Sequence, residues 1–158
     1  MTVYQNLSSW RLADLAVNRI LPVEIPQHWL QLQSYLDRTP QMWENGLTRE
    51  MFLAKLLSGN LQLWILTEGK QVLMYATTQV RTFDMQVIVV VTWLAGRKIT
   101  GEKTLHFLLD CLHRYAAYNQ AFQVRVEGRK GWTRLLTRLG FFQPYVVLAA
   151  PINRERMN

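Results

Sequence analysis

Apolar positions change their period along the chain, and the change divides it into a helical third and a strand-rich remainder. Ser8 or Ser9 offers a helix cap, and Leu12, Leu15, Ala16 and Ile20 then recur at helical spacing up to Pro22, which predicts a first short helix. Residues 21–26 read as an extended link between two prolines. A second helix is predicted over about 27–35, with Trp29, Leu30 and Leu32 as its apolar contacts. A third is predicted over 48–58, with Thr48 as N-cap and Gly59-Asn60 as its stop. From Leu61 the pattern turns to strands: 61–66, then a turn at Glu68-Gly69-Lys70, then 71–81. After Phe83-Asp84 comes 85–94, uncharged and β-branched, which predicts a strand flanked by neighbours and covered on both faces.

Beyond Gly96 and a polar loop, a long helix is predicted from Leu105, Leu108, Leu109, Leu112, Tyr115 and Ala116 on one stripe. It is followed by a strand at 123–127, a helix at 132–139 stopped by Gly140, a last strand at 145–148 and a polar tail. The predicted fold class is therefore α/β, with a mixed, largely antiparallel sheet of about six strands flanked by helices. The organisation read from this order is an N-terminal helical extension over 1–22, a single domain over 23–152 and a tail over 153–158.

Composition narrows the class. At 158 residues with 49% hydrophobic and 18% charged, the chain suits one domain with a full core and excludes disorder. No uncharged apolar run of eighteen residues occurs and no secretory leader is seen, so a cytoplasmic protein with no membrane partner is expected. The one cysteine, Cys111, forms neither an internal disulfide nor a cysteine-based zinc site. It reads as a small buried hydrophobe.

Charge changes the picture further. The net charge is +7, and the stretch from Arg97 to Arg138 holds nine basic residues against three acids. Such a concentration attracts phosphates, whether of a nucleotide, a nucleic acid or an acidic partner. His106, Asp110 and His113 fall at i, i+4 and i+7 of the long helix. That spacing suits a metal pair or an acid–base relay, but the position beside the leucine stripe favours a structural role and no metal site is assigned. Trp64 and Trp93 are expected in the sheet core. Trp10, Trp29 and Trp43 either anchor the N-terminal helices or line a groove, and Trp132 either packs or stacks on a ligand ring.

The element order, with the ending Trp132-Thr133-Arg134-Leu135-Leu136-Thr137-Arg138-Leu139-Gly140-Phe141, resembles the GCN5-related N-acetyltransferase (GNAT) superfamily over about 23–152. There a Gly-Phe pair closes the penultimate helix, as Gly140-Phe141 does here. The segment Gly128-Arg129-Lys130-Gly131-Trp132 also resembles degenerate GNAT-like proteins of tailed bacteriophages, which implies a virion-associated or assembly role in the host cytoplasm. The resemblance implies acetyl-CoA as the cofactor, its diphosphate held by a loop written Arg/Gln-x-x-Gly-x-Gly/Ala. Carried onto this chain, that loop is Arg97, Lys98, Ile99, Thr100, Gly101, Glu102 and Lys103. Glycine admits close main-chain approach and the helix N-terminus adds positive potential. Lys103 replaces the small residue, and Glu102 sets a negative charge in the first turn.

The thiolate-protonating tyrosine that many members carry four residues before the Gly-Phe glycine is Leu136 here, which holds no proton to give. The strand at 85–94 contains no acid, so Glu127, at the end of the following strand, is the carboxylate implied as general base. Three function classes follow. The first is a GNAT-fold protein with a degenerate acetyl-CoA site, acting by association with a protein partner or particle. The second is an active acetyl-CoA-dependent N-acetyltransferase acting on an amine. The third is a basic protein that binds nucleic acid without sequence preference through Arg125, Arg129, Lys130, Arg134 and Arg138.

Overall fold

The computed structural model describes residues 9–38, 46–97, 101–128, 131–144, 148 and 150. Two compact units are resolved, 1–128 and 129–158.

In the first unit the strands are β1 (Ser9–Leu12), β2 (Leu15–Ile20), β3 (Gln62–Glu68), β4 (Gln71–Phe83), β5 (Gln86–Gly96) and β6 (Gln123–Val126). The helices are α1 (Ile25–Leu36), α2 (Arg49–Leu57) and α3 (Glu102–Tyr118). Among the described residues the strands form one six-stranded sheet in chain order, antiparallel throughout except for the parallel β5–β6 pair. A mixed, largely antiparallel six-stranded sheet flanked by helices is therefore the fold, as the residue pattern predicts.

The predicted first helix is corrected. Its residues form a β-hairpin, with Leu12 opposite Leu15 and Ala13 at φ 53 in the turn. β2 then runs beside β3 from Leu15–Glu68 to Ile20–Leu63. The physical reason lies fifty residues away. β3 is an apolar strand with one edge on β4, and its other edge has to be covered. Val17, fully buried in β2, meets that need, and β-branched Val17 and Ile20 suit a pleated surface. The segment at 9–20 is thus part of the sheet rather than a helical extension of it.

Alternation along β3 divides the core. Leu63 and Ile65 join Ile25, Leu32, Leu36, Phe52 and Leu56 on the α1–α2 side, together with Tyr75 and Trp93. Trp64 points the other way, with its ring 4.9 Å from that of Tyr115 on α3 and 5.7 Å from that of Trp10 on β1. Trp64 donates its Nε1–H to Thr78 Oγ1 at 2.9 Å, Thr78 donates to Gln62 Oε1, and Gln62 donates to the Gly59 carbonyl. A buried indole needs such a partner. Trp29 stacks on Phe52, and Trp93 meets Phe52 edge-on, so Trp10 and Trp29 both act as anchors.

Thr48 caps α2 by accepting from the Met51 N–H, as its position predicts. The buried face of α3 carries Leu105, Leu108, Leu112, Tyr115 and Ala116 of the predicted stripe. Gly96 ends β5 where the chain passes close to β4. A Cβ there would stand 2.9 Å from the Leu73 carbonyl oxygen, which also accepts from the Arg97 N–H.

The second unit contains α4 (Trp132–Arg138). Gly140, at φ 93, stops it, with the Gly140 N–H on the Thr137 carbonyl and the Phe141 N–H on the Leu136 carbonyl. The Gly-Phe pair sits directly after a helix, as the resemblance implies. The predicted strand at 145–148 lies outside the described residues except for Leu148. No helix among the described residues is long and apolar enough to cross a membrane.

Candidate functional site

Two features of the β4–β5–β6 region position polar side chains. The first is a bulge. Thr77 pairs with Trp93 and Thr78 with Val91, leaving Thr92 as an extra residue on β5. A bulge re-aims side chains. Here Thr92 lines a pocket beside Phe52, whose ring Trp93 also meets. Thr92 Oγ1 lies 2.8 Å from Thr77 Oγ1, which is fully buried. The second feature is a parting of strands. The β5–β6 ladder runs from Ile88–Gln123 to Val91–Val126 and closes with the Glu127 N–H on the Val91 carbonyl at 2.9 Å. β5 continues to Gly96 alongside β4, while β6 has ended.

Glu127 stands at this parting. Arg81 Nη1 donates to its Oε1 at 2.6 Å and Nη2 to its Oε2 at 3.5 Å, so the guanidinium spans both oxygens. Arg81 also donates through Nε to Gln79 Oε1 at 2.6 Å, and Gln79 donates to Asn60 Oδ1 at 2.6 Å. The two-residue strand period puts Gln79 and Arg81 on one face of β4. Arg81, Gln79, Thr92 and Glu127 line a pocket of about 170 Å³. Its other walls are Leu47, Phe52, Lys55 and Leu61. Lys55 is half-buried on α2, and its ammonium makes no ion pair among the described residues.

The residues implied for the diphosphate loop are placed in part. Lys98, Ile99 and Thr100 lie outside the described residues. Arg97 is exposed just after β5, and Gly101 is the N-cap of α3, at φ −79 and ψ 168 with no side-chain cap. A Cβ built at Gly101 would meet nothing within 4 Å among the described residues, so there is room for a side chain at this helix N-terminus. Glu102 and Lys103 are exposed in the first turn. An open helix N-terminus with flanking cations fits a phosphate-bearing group, and Glu102 opposes it.

His106 Nε2 lies 3.5 Å from Asp110 Oδ1, both side chains being exposed, whereas His113 Nδ1 donates to the Leu109 carbonyl of its own helix. Among the described residues no group of three His, Cys, Asp or Glu is arranged to hold a metal. Cys111 is buried, and burial pushes its thiol up to about 12, which keeps it protonated at neutral pH. Of the cations read as one basic stripe, Arg125 lies over the Phe83 ring at 4.8 Å and belongs to the first unit. Arg134 and Arg138 belong to the second unit, and Arg129 and Lys130 lie outside the described residues.

Sequence reasoning missed Arg81, Gln79, Thr92 and Lys55. The available signal was the polar alternation Gln79-x-Arg81 in the second half of the strand, after the apolar run 72–76. Their meeting with Glu127 depends on β4–β5–β6 pairing across 46 residues, which no local pattern records.

The sequence matches no protein-family model and no curated protein. Solved structures do match in fold. An aminoglycoside acetyltransferase from an uncultured soil metagenomic sample, solved with trehalose, is 12% identical with a TM-score of 0.66, over 89% of this chain and 98% of that one. A second aminoglycoside acetyltransferase of soil metagenomic origin is 14% identical with a TM-score of 0.66, over 88% and 99%. A protein of Clostridium acetobutylicum described as a predicted acetyltransferase, solved with acetyl-CoA, is 16% identical with a TM-score of 0.62, over 85% and 96%. At these identities the likeness is one of fold, and the fold of this chain is that of the GNAT-type acetyltransferases.

Proposed function

We propose that the protein is an acetyl-CoA-dependent N-acetyltransferase whose acceptor amine sits in the pocket beside Glu127. The observation that supports this reading is the parting of β5 and β6 beyond Val91, with a carboxylate at its rim and a polar pocket beside it. When bound, acetyl-CoA supplies a thioester whose carbonyl carbon exchanges its sulfur for the acceptor's nitrogen. Gly101 and the first-turn amides of α3, flanked by Arg97 and Lys103, would hold the diphosphate.

Glu127 takes a proton from the acceptor ammonium and so frees the nitrogen lone pair. Arg81 holds the carboxylate at the rim, and Gln79 holds Arg81. The departing sulfur is protonated from solvent.

Association without transfer is a second reading, favoured by the Arg81–Glu127 pair, which engages both oxygens of the proposed base. The particle or assembly role belongs with that second reading and draws its support from the sequence resemblance. Amine-dependent thiol release from acetyl-CoA separates the two. Transfer predicts release that falls by about 100-fold or more in Glu127→Gln, with the fold unchanged by circular dichroism. Tight acetyl-CoA binding without release across an amine panel supports association instead.

A further inference from the structure

The charge pattern and size of the pocket narrow the acceptor further, resting on the reading of Glu127 as the group that receives the amine. Among the described residues three charged side chains line this space: Lys55, Arg81 and Glu127. Arg81 and Glu127 neutralise one another. Lys55 is left over, a half-buried residue with no anionic partner among the described residues, in a pocket that also holds the carboxylate. An unpaired cation on a pocket wall draws an anion. A ligand that brings only an amine answers Glu127 and leaves Lys55 repelled, whereas a ligand carrying both an ammonium and a carboxylate answers both.

Of the remaining lining residues, Gln79 is engaged with Arg81 and Asn60 and Thr92 with Thr77, while Leu47, Phe52 and Leu61 offer no hydrogen bond through their side chains, so the rest of the ligand is best matched by hydrocarbon. Size sets a further limit. Drug-sized ligands occupy pockets of roughly 300–1,000 Å³, and a space of about 170 Å³ admits something much smaller. We infer that the acceptor is a small zwitterion with an apolar side chain, an aliphatic α-amino acid, its carboxylate held by Lys55 and its amino group presented to Glu127. Transfer then joins the acetyl carbon to the α-nitrogen and breaks the carbon–sulfur bond; Glu127 takes the first nitrogen proton, solvent takes the second, and the departing thiolate is protonated from solvent.

Calorimetric titration of the full chain with L-leucine, 3-methylbutan-1-amine and 4-methylpentanoate tests this, because the second lacks the carboxylate and the third lacks the amine. Leucine is expected to bind tighter than either analogue by about tenfold or more, the worth of one charge-assisted contact. Lys55→Met is expected to erase the preference for leucine over the amine, and Lys55→Arg to keep most of it, both with unchanged affinity for acetyl-CoA. Leucine binding no tighter than the amine overturns the assignment, and with acetyl-CoA still bound it leaves the transferase reading standing. A leucine preference in a chain that does not bind acetyl-CoA upholds the amino-acid pocket and removes the transferase. Should Lys55→Met fail to fold, the three-ligand comparison on the unaltered chain still decides.

Discussion

Arg81 and Glu127 show how a residue's neighbours define its use. Alone at a strand end, Glu127 would be one more solvated carboxylate. Spanned by a guanidinium that is itself held by Gln79, it has a fixed position at the rim of a pocket. Exposed ion pairs contribute little to stability, about 0–1 kcal/mol, so the arrangement is better understood as positioning than as a brace. Gly96 makes the opposite case, a residue whose value lies in what it lacks. A methyl group there would press on the Leu73 carbonyl at 2.9 Å, and backbone cannot move aside as a flexible side chain can. Gly96→Ala is therefore expected to destabilise the protein by about 1–3 kcal/mol, read as a lower midpoint in urea. An unchanged midpoint would show that β4 and β5 separate there at no cost.

At the scale of elements, legibility followed how local each cause was. Thr48 and the α2 helix, the apolar stripe of α3 and the uncharged β5 were readable because caps and periods act within a few residues. The hairpin at 9–20 was not. Leu12, Leu15, Ala16 and Ile20 keep a helical spacing, and the factor that overrides it is the open edge of β3, remote in sequence. The site divides the same way. The positions of Glu127 just after β6 and of Gly101 just before α3 follow from element order; their roles are proposed. The bulge at Thr92 and the meeting of Arg81, Gln79 and Lys55 arise only when three strands and a helix are in register.

The first unit has a core on each side of its sheet, and each holds an acidic group that burial keeps protonated. Tyr75, on the α1–α2 side, is pushed up from 10.0 to about 12 by burial first and by Tyr35 second. Cys111, on α3, is pushed up from 9.0 to about 12, again chiefly by burial. Both are neutral when protonated, and both have a folded pKa above the unfolded one. Their stabilising contribution is full below pH 9 and is lost as pH climbs towards 12. The melting temperature is expected to fall across that window, and Cys111→Ala to soften the fall. A flat profile to pH 12 would show that neither group titrates differently on unfolding.

That frame gives α3 an N-terminus with room at Gly101 and β5 a run beyond its partner strand, and acetyl-CoA binding in this region is what the function turns on. Calorimetric titration with acetyl-CoA tests it most directly, comparing the natural chain with Gly101→Glu. The backbone at Gly101 is one that any residue adopts, with space for a side chain, so the variant is expected to fold normally. The natural chain is expected to bind one acetyl-CoA and, at 100 times the dissociation constant, to gain about 2.7 kcal/mol of stability. Gly101→Glu is expected to lose most of that affinity, since it places a carboxylate where the diphosphate would lie. Absence of both heat and thermal shift in the natural chain would contradict the account and leave a GNAT-type fold that works by other means.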